Sequence, residues 1–158
     1  MTQGPVDLQV SLSYGLPRKG IPAPSSFRRW VAAALDRRCK AADIGIRIVD
    51  AEEGQHFNRH YRGKDYATNV LSFEADRPEG LPDDVHIPLI GDLILCAPVV
   101  EREAREQNKP LVAHYAHMTV HGTLHLLGWD HQDDLEANAM EQLEREILAS
   151  FGISDPYL

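Results

Sequence analysis

Val6, Leu8, Val10 and Leu12 alternate with Asp7, Gln9, Ser11 and Ser13. That period of two predicts a half-buried strand. A Gly/Pro-rich stretch follows from Gly15 to Pro24. Ser25 or Ser26 can then cap a helix in which Phe27, Trp30, Val31, Ala34 and Leu35 recur at three and four, and the helix is expected to run to near Ala41. Ile44, Ile46 and Ile48 alternate again and predict a second strand. Ala51 to about Arg62 is a polar helix with Phe57 and Tyr61 on one face, closed by the turn signal Gly63-Lys64-Asp65. Asn69 to Ala75 predicts a third strand, Asp76 to Pro88 a loop, and Leu89 to Cys96 a fourth strand buried on both faces. Pro98 opens a helix to about Gln107, and Pro110 opens another that reaches Leu127 and is stopped by Gly128. Asp133 with Glu136 forms a capping-box pattern before a last helix, whose buried face is expected to carry Leu135, Ala139, Met140, Leu143, Ile147 and Leu148. The pattern predicts one α+β (mixed α/β) domain over residues 1–158, a small four-stranded mixed sheet packed with four or five helices.

Composition narrows the class. A chain of 158 residues with 43% apolar residues can bury a sizeable core and is not a disordered segment. Its net charge of -8 argues against broad, sequence-blind nucleic-acid binding. No apolar run approaches the roughly 18 residues of a membrane span, and the start has no signal-peptide pattern. Cys39 and Cys96 make neither a disulfide framework nor a zinc pair, so a reduced, cytoplasmic protein is expected.

Five of the eight histidines lie between positions 114 and 131. His121 and His125 are four apart, which on a helix puts both imidazoles on one face. Gly128 can end the helix and turn the chain so that His131 supplies a third nitrogen. Three neutral nitrogens and one open position describe a catalytic zinc site with a metal-bound water. His114 and His117 share the helical stripe, so a 117/121 pair is also geometrically possible, but it lacks the turn that supplies a third ligand. Both are assigned, with Asp130, to the surroundings of the ligands or the substrate groove, and Asp130 can accept an imidazole N–H or cap the turn. The spacing also matches metzincin proteases, but those carry a glutamate base directly after the first histidine, where this chain has Gly122.

A second segment is basic. Arg59, Arg62 and Lys64 put three positive charges within six residues. Residues 17–64 hold 11 Lys/Arg against five Asp/Glu, and residues 130–146 hold one against seven. A guanidinium can grip phosphate through two parallel N–H bonds. These three residues are expected to face the same cleft as the metal, with the acidic 130–146 stretch facing away. Thr68 and Asn69 can cap the preceding turn, and a structural role is preferred for Ser72.

Taken together, HGTLHLLGWDH at 121–131, NRHYRGKDYATNVLSF at 58–73 and IGDLILC at 90–96 resemble the YbeY family of bacterial endoribonucleases. Ala67, Asn69 and Trp129 depart from the family's common Pro, Asp and Tyr, and none removes an expected ligand. The resemblance implies a zinc-dependent, single-strand-specific endoribonuclease with one zinc per chain on His121, His125 and His131. It implies work on ribosomal RNA, at the 3′ end of the small-subunit RNA and in ribosome quality control, with ribosomal subunits or assembly factors as partners and no role for DNA or membrane. It also implies a catalytic or phosphate-binding Arg62. Two other readings fit a metal site: a zinc hydrolase of peptides or small molecules, and a non-catalytic ribosome-assembly factor with structural zinc.

Overall fold

The computed structural model describes residues 6–75, 79–82, 84–85, 87–130 and 132–158. The expected loop of residues 76–88 and the expected ligand His131 therefore lie partly or wholly outside the described residues. Chain order is β1 (Asp7–Tyr14), α1 (Pro24–Leu35), β2 (Ala41–Val49), α2 (Ala51–Arg62), β3 (Val70–Glu74), β4 (Leu89–Cys96), α3 (Ala97–Glu106), α4 (Leu111–Leu126) and α5 (Asp134–Ala149). The four strands form one mixed sheet in the order β1-β2-β4-β3. β1, β2 and β4 are parallel, and β3 runs antiparallel to β4 with Ser72 opposite Leu93. The expected mixed sheet with five helices is what the chain builds.

The alternation seen in the sequence sorts side chains to the two sheet faces. Ile44, Ile46 and Ile48 of β2 and Leu93 and Leu95 of β4 join Phe27, Trp30, Val31 and Leu35 of α1 in the main core with α4 and α5. Val49, Ile94 and Cys96 point the other way and meet Phe57 of α2 in a smaller cluster. The far half of β4 is buried on both faces as expected. The near half is not: Ile90 and Asp92 are exposed.

α1 is shorter than its sequence pattern. It starts at Pro24 with Ala23 in the cap position, so neither Ser25 nor Ser26 caps it, and it ends at Leu35. Arg37 adopts φ 63, which turns the chain and lets β2 begin at Ala41 opposite Asp7. The expected buried face of α5 is a second correction, since Ala139 is exposed and so is Leu135. Leu135 lies in the first turn of α5, beyond the core, and is 81% exposed.

α4 is the central helix, with most of its residues buried and neighbours in α1, α3, α5, β3 and β4. A helix enclosed on all sides needs its polar groups paired internally. Thr119 and Thr123 accordingly donate to the carbonyls of Tyr115 and Thr119. Gly128 ends the helix at φ 97: its N–H bonds to His125 O and the Trp129 N–H to Leu124 O, a Schellman pair.

Where α4 crosses the sheet, Gly122 is required for lack of space. A β-carbon there would lie 2.9 Å from Leu93 Cδ2 and 3.0 Å from Val70 Cγ2. The Ser72 hydroxyl donates to the Gly122 carbonyl at 2.9 Å, tying β3 to the helix and giving Ser72 its structural role. A glutamate at 122 would push a charge into this contact. Gly122→Glu is expected to cost about 3 kcal/mol through overpacking and an unsatisfied buried charge. At about 2–4 °C per kcal/mol for a chain of this size, that lowers the unfolding midpoint by roughly 6–12 °C in a thermal melt.

Candidate metal centre

His121 and His125 sit one turn apart on α4, as their spacing requires. Their rings are 4.6 Å apart and nearly perpendicular, and Nε2 of one lies 3.1 Å from Nε2 of the other. Two nitrogens at ~2.0–2.1 Å from a shared tetrahedral ion are about 3.3 Å apart, so the donor pair fits a metal.

The proton positions follow from Glu144. This side chain comes from α5 and is fully buried. Burial alone would raise its pKa, but hydrogen bonds from His117, His121 and Tyr157 outweigh it and draw the carboxyl down to about 2. An ionised carboxylate only accepts, so His121 Nδ1–H must donate to Glu144 Oε1, at 2.7 Å. With Nδ1 so engaged, Nε2 of His121 is the atom turned to His125. His117 lies 3.2 Å from the same Oε1 through Nε2, and burial holds its pKa low, so it too donates as a neutral ring. The Tyr157 hydroxyl donates to Oε2 at 2.7 Å.

The expectation that the acidic stretch faces away from the site is therefore corrected at two residues, Asp130, which lines a cavity beside His121 and His125, and Glu144. Glu144 points inward and serves the histidines. Nothing in the histidine motif announces it, since it lies 23 residues downstream of His121. Its signal is a charge out of place: it follows Leu143 and precedes Ile147 and Leu148 on the buried face of α5. As a donor set, His117, His121 and Glu144 could themselves hold a metal ion. Farther up the helix His114 is also buried, with Nε2 2.9 Å from Glu103 Oε1. Asn69 donates to the same carboxylate at 3.1 Å, while its Oδ1 accepts the Val70 N–H.

A cavity of about 770 Å³ opens beside the paired histidines. His121, His125, Asp130, Arg62 and Tyr61 line it, together with the β3 edge from Asn69 to Glu74. Arg62 reaches it because α2 ends there. Asp50 caps the start of that helix by accepting the Glu53 N–H, and Gly63 closes its end at φ 69. The buried Asn58 donates to Tyr66 O at 2.6 Å and holds the turn that leads to β3. Arg59 and Lys64 are exposed and do not line the cavity.

Asp130 and Gln132, the chain neighbours of His131, both line the cavity, while His131 is outside the described residues. Among the described residues no helix is long and apolar enough to cross a membrane.

The chain is similar to known proteins along almost its whole length. A sequence model described as Endoribonuclease YbeY matches residues 19–152. An Endoribonuclease YbeY of Stenotrophomonas maltophilia (strain R551-3) is 72% identical over 157 residues, covering 99% of this chain and 98% of that protein. One of Xanthomonas axonopodis pv. citri (strain 306) is 68% identical over the same shares. The solution structure of TM1509 from Thermotoga maritima, at 22% identity, superposes with a TM-score of 0.58, covering 94% of this chain and 98% of that one; it shows a shared fold. Two-thirds identity across almost the whole length, with the histidine pair and Arg62 on one cavity, makes the chain a member of the YbeY endoribonuclease family.

Proposed function

We propose that this protein is a zinc-dependent endoribonuclease that cuts single-stranded RNA, working on ribosomal RNA precursors as one domain in the cytoplasm. The observation that carries the reading is one cavity shared by two facing imidazoles and a guanidinium. Family membership gives RNA as the substrate class. One zinc per chain would be held by His121, His125 and His131. In this reading Glu144 is the carboxylate behind the ligands, and His117 and Tyr157 hold Glu144 in turn. When bound, zinc supplies Lewis-acid polarisation of the phosphodiester and a water acidic enough to ionise near neutral pH.

The chain's own residues do the rest. Arg62 grips phosphate oxygens and stabilises the charge that builds on them. Arg59 and Lys64, exposed near the end of the same helix, meet phosphates outside the cavity. Tyr61 and Phe73, whose rings are 4.8 Å apart at the rim, offer faces to unpaired bases. Gly122 counts against peptide hydrolysis of the metzincin kind, since its position abuts the sheet and leaves no room for a base.

The test is cleavage of matched single-stranded RNA, duplex RNA and peptide, with chelator and with zinc restored. Cleavage of single strands alone, lost with chelator and recovered with zinc, is the expected result. Peptide cleavage, or RNA cleavage indifferent to chelator, would refute the proposal. A cavity engaging a few phosphates also predicts a shallow salt dependence, since each neutralised phosphate on a single strand contributes ~0.7 to the slope. Binding of a cleavage-deficient variant measured against salt should show a slope of about 2–3, and stronger binding to single strands than to duplex.

A further inference from the structure

Tyr157 lies in the segment after α5, beyond the residues that the family's sequence model matches, so membership assigns it no role. The structure nevertheless carries its hydroxyl to the buried end of the candidate centre. Oη is 2.7 Å from Glu144 Oε2 and 3.2 Å from His117 Nε2. The segment is fastened on several sides. Lys109 Nζ donates to Pro156 O at 2.6 Å, Asp155 accepts the Tyr157 N–H and pairs with Arg145, and the Arg145 guanidinium lies over the Tyr157 ring. Lys109 and Arg145 from outside the segment, and the Asp155 turn within it, hold one side chain in one place.

The chemistry of Glu144 explains what that placement does. Its two oxygens are divided. Oε1 receives both histidines, His121 at 2.7 Å and His117 at 3.2 Å. Oε2 receives Tyr157. A buried carboxylate with one oxygen unsatisfied would rotate toward other donors or draw water in. Rotation would swing Oε1 off His121 Nδ1, and the imidazole would lose the bond that fixes its tautomer and its ring plane.

We propose that Tyr157 is a positioning residue: by satisfying Glu144 Oε2 it locks the carboxylate that aims His121 at the metal. This rests on the proposed ligand set. It adds the segment after α5 to the machinery of the site, one hydrogen bond behind Glu144 and two behind the ligand His121.

The experiment reads zinc affinity of the full chain by chelator competition, not RNA cleavage. Tyr157→Phe keeps the ring and removes only the hydroxyl. It should weaken zinc binding by roughly 10- to 100-fold, the range for loss of a group that supports a ligand. Thermal unfolding of the metal-free protein should stay close to wild type. In a Glu144→Gln background the same substitution should weaken binding no further, since the two act in series. Wild-type affinity in Tyr157→Phe would overturn the proposal. So would an equal loss with and without Glu144, or a loss matched by an equal destabilisation of the metal-free protein. Undiminished zinc in His125→Ala would overturn the ligand set, and the positioning role with it. Unchanged affinity in Tyr157→Phe beside a large loss in His125→Ala overturns the positioning role alone.

Discussion

A His125→Ala variant is expected to purify with almost no zinc, where the wild-type protein carries about one ion per chain. Elemental analysis after gel filtration reads this directly. Catalytic zinc is held by three protein ligands, so removing one leaves two against a strongly hydrated ion. Loss of a mere supporting group costs 10- to 100-fold in affinity, and loss of a ligand should exceed about 100-fold. His125 is the informative choice because it separates two donor sets. It belongs to the pair with Nε2 atoms 3.1 Å apart, but not to the buried group of His117, His121 and Glu144. His117→Ala is the complement. In the proposed arrangement His117 supports Glu144, so its loss should weaken zinc binding without abolishing it. Zinc kept by His125→Ala and lost by His117→Ala would put the ion in the buried group instead.

The reason to favour the outer pair is electrostatic. Ionised Glu144 already takes an N–H from each of His117 and His121. A metal among those three would have to replace both hydrogen bonds and shift the proton of each ring to its other nitrogen, in a buried place. A metal at His121 Nε2 keeps the Nδ1 bond to Glu144 and displaces only the contact between the two Nε2 atoms at the cavity. Glu144 then has the place that carboxylates commonly take behind metal-bound imidazoles.

The local pattern was enough for some of this and not for the rest, for identifiable reasons. α2 and β4 fall where the sequence puts them, because each has its own punctuation. Asp50 caps α2 and Gly63 closes it, and β4 runs from the end of a proline-rich loop to Pro98. α1 lacks such a stop. Asp36-Arg37-Arg38-Cys39-Lys40 reads as continuing helix, and only the pairing of Asp7 with Ala41 ends it early. His121 and His125 were legible as a pair because helix geometry is local. Their carboxylate was not, because contact between α4 and α5 is a tertiary fact. Asp130, the chain neighbour of His131, offered a carboxylate within the motif itself and lines the cavity, whereas the N–H of His121 goes to Glu144. Tyr157 left no trace in any periodicity. Its place depends on Lys109, between α3 and α4, and on Arg145 of α5.

Arg62→Glu is expected to reduce RNA cleavage by about 100- to 1,000-fold, the usual range for removing one preorganised donor that stabilises transition-state charge. Reversing the charge adds repulsion of the phosphate, so the upper end is expected. Zinc content and the unfolding midpoint should stay at wild-type values. Arg62 is exposed, in the last turn of α2, and among the described residues no ion pair holds it. Folding therefore gives little reason for a cation there, whereas the cavity it shares with His121 and His125 does. Arg62→Lys separates charge from geometry. An ammonium restores the positive charge but not the planar fork, so it should recover only part of the rate. Arg59→Glu is the control, since Arg59 lies on the same helix but outside the cavity. It should weaken RNA binding and leave single-turnover cleavage at saturating enzyme nearly unchanged. Full activity in Arg62→Glu, or an equal loss of single-turnover rate in Arg59→Glu, would mean that the basic segment attracts RNA only through its field and that the cavity's guanidinium takes no part in cleavage.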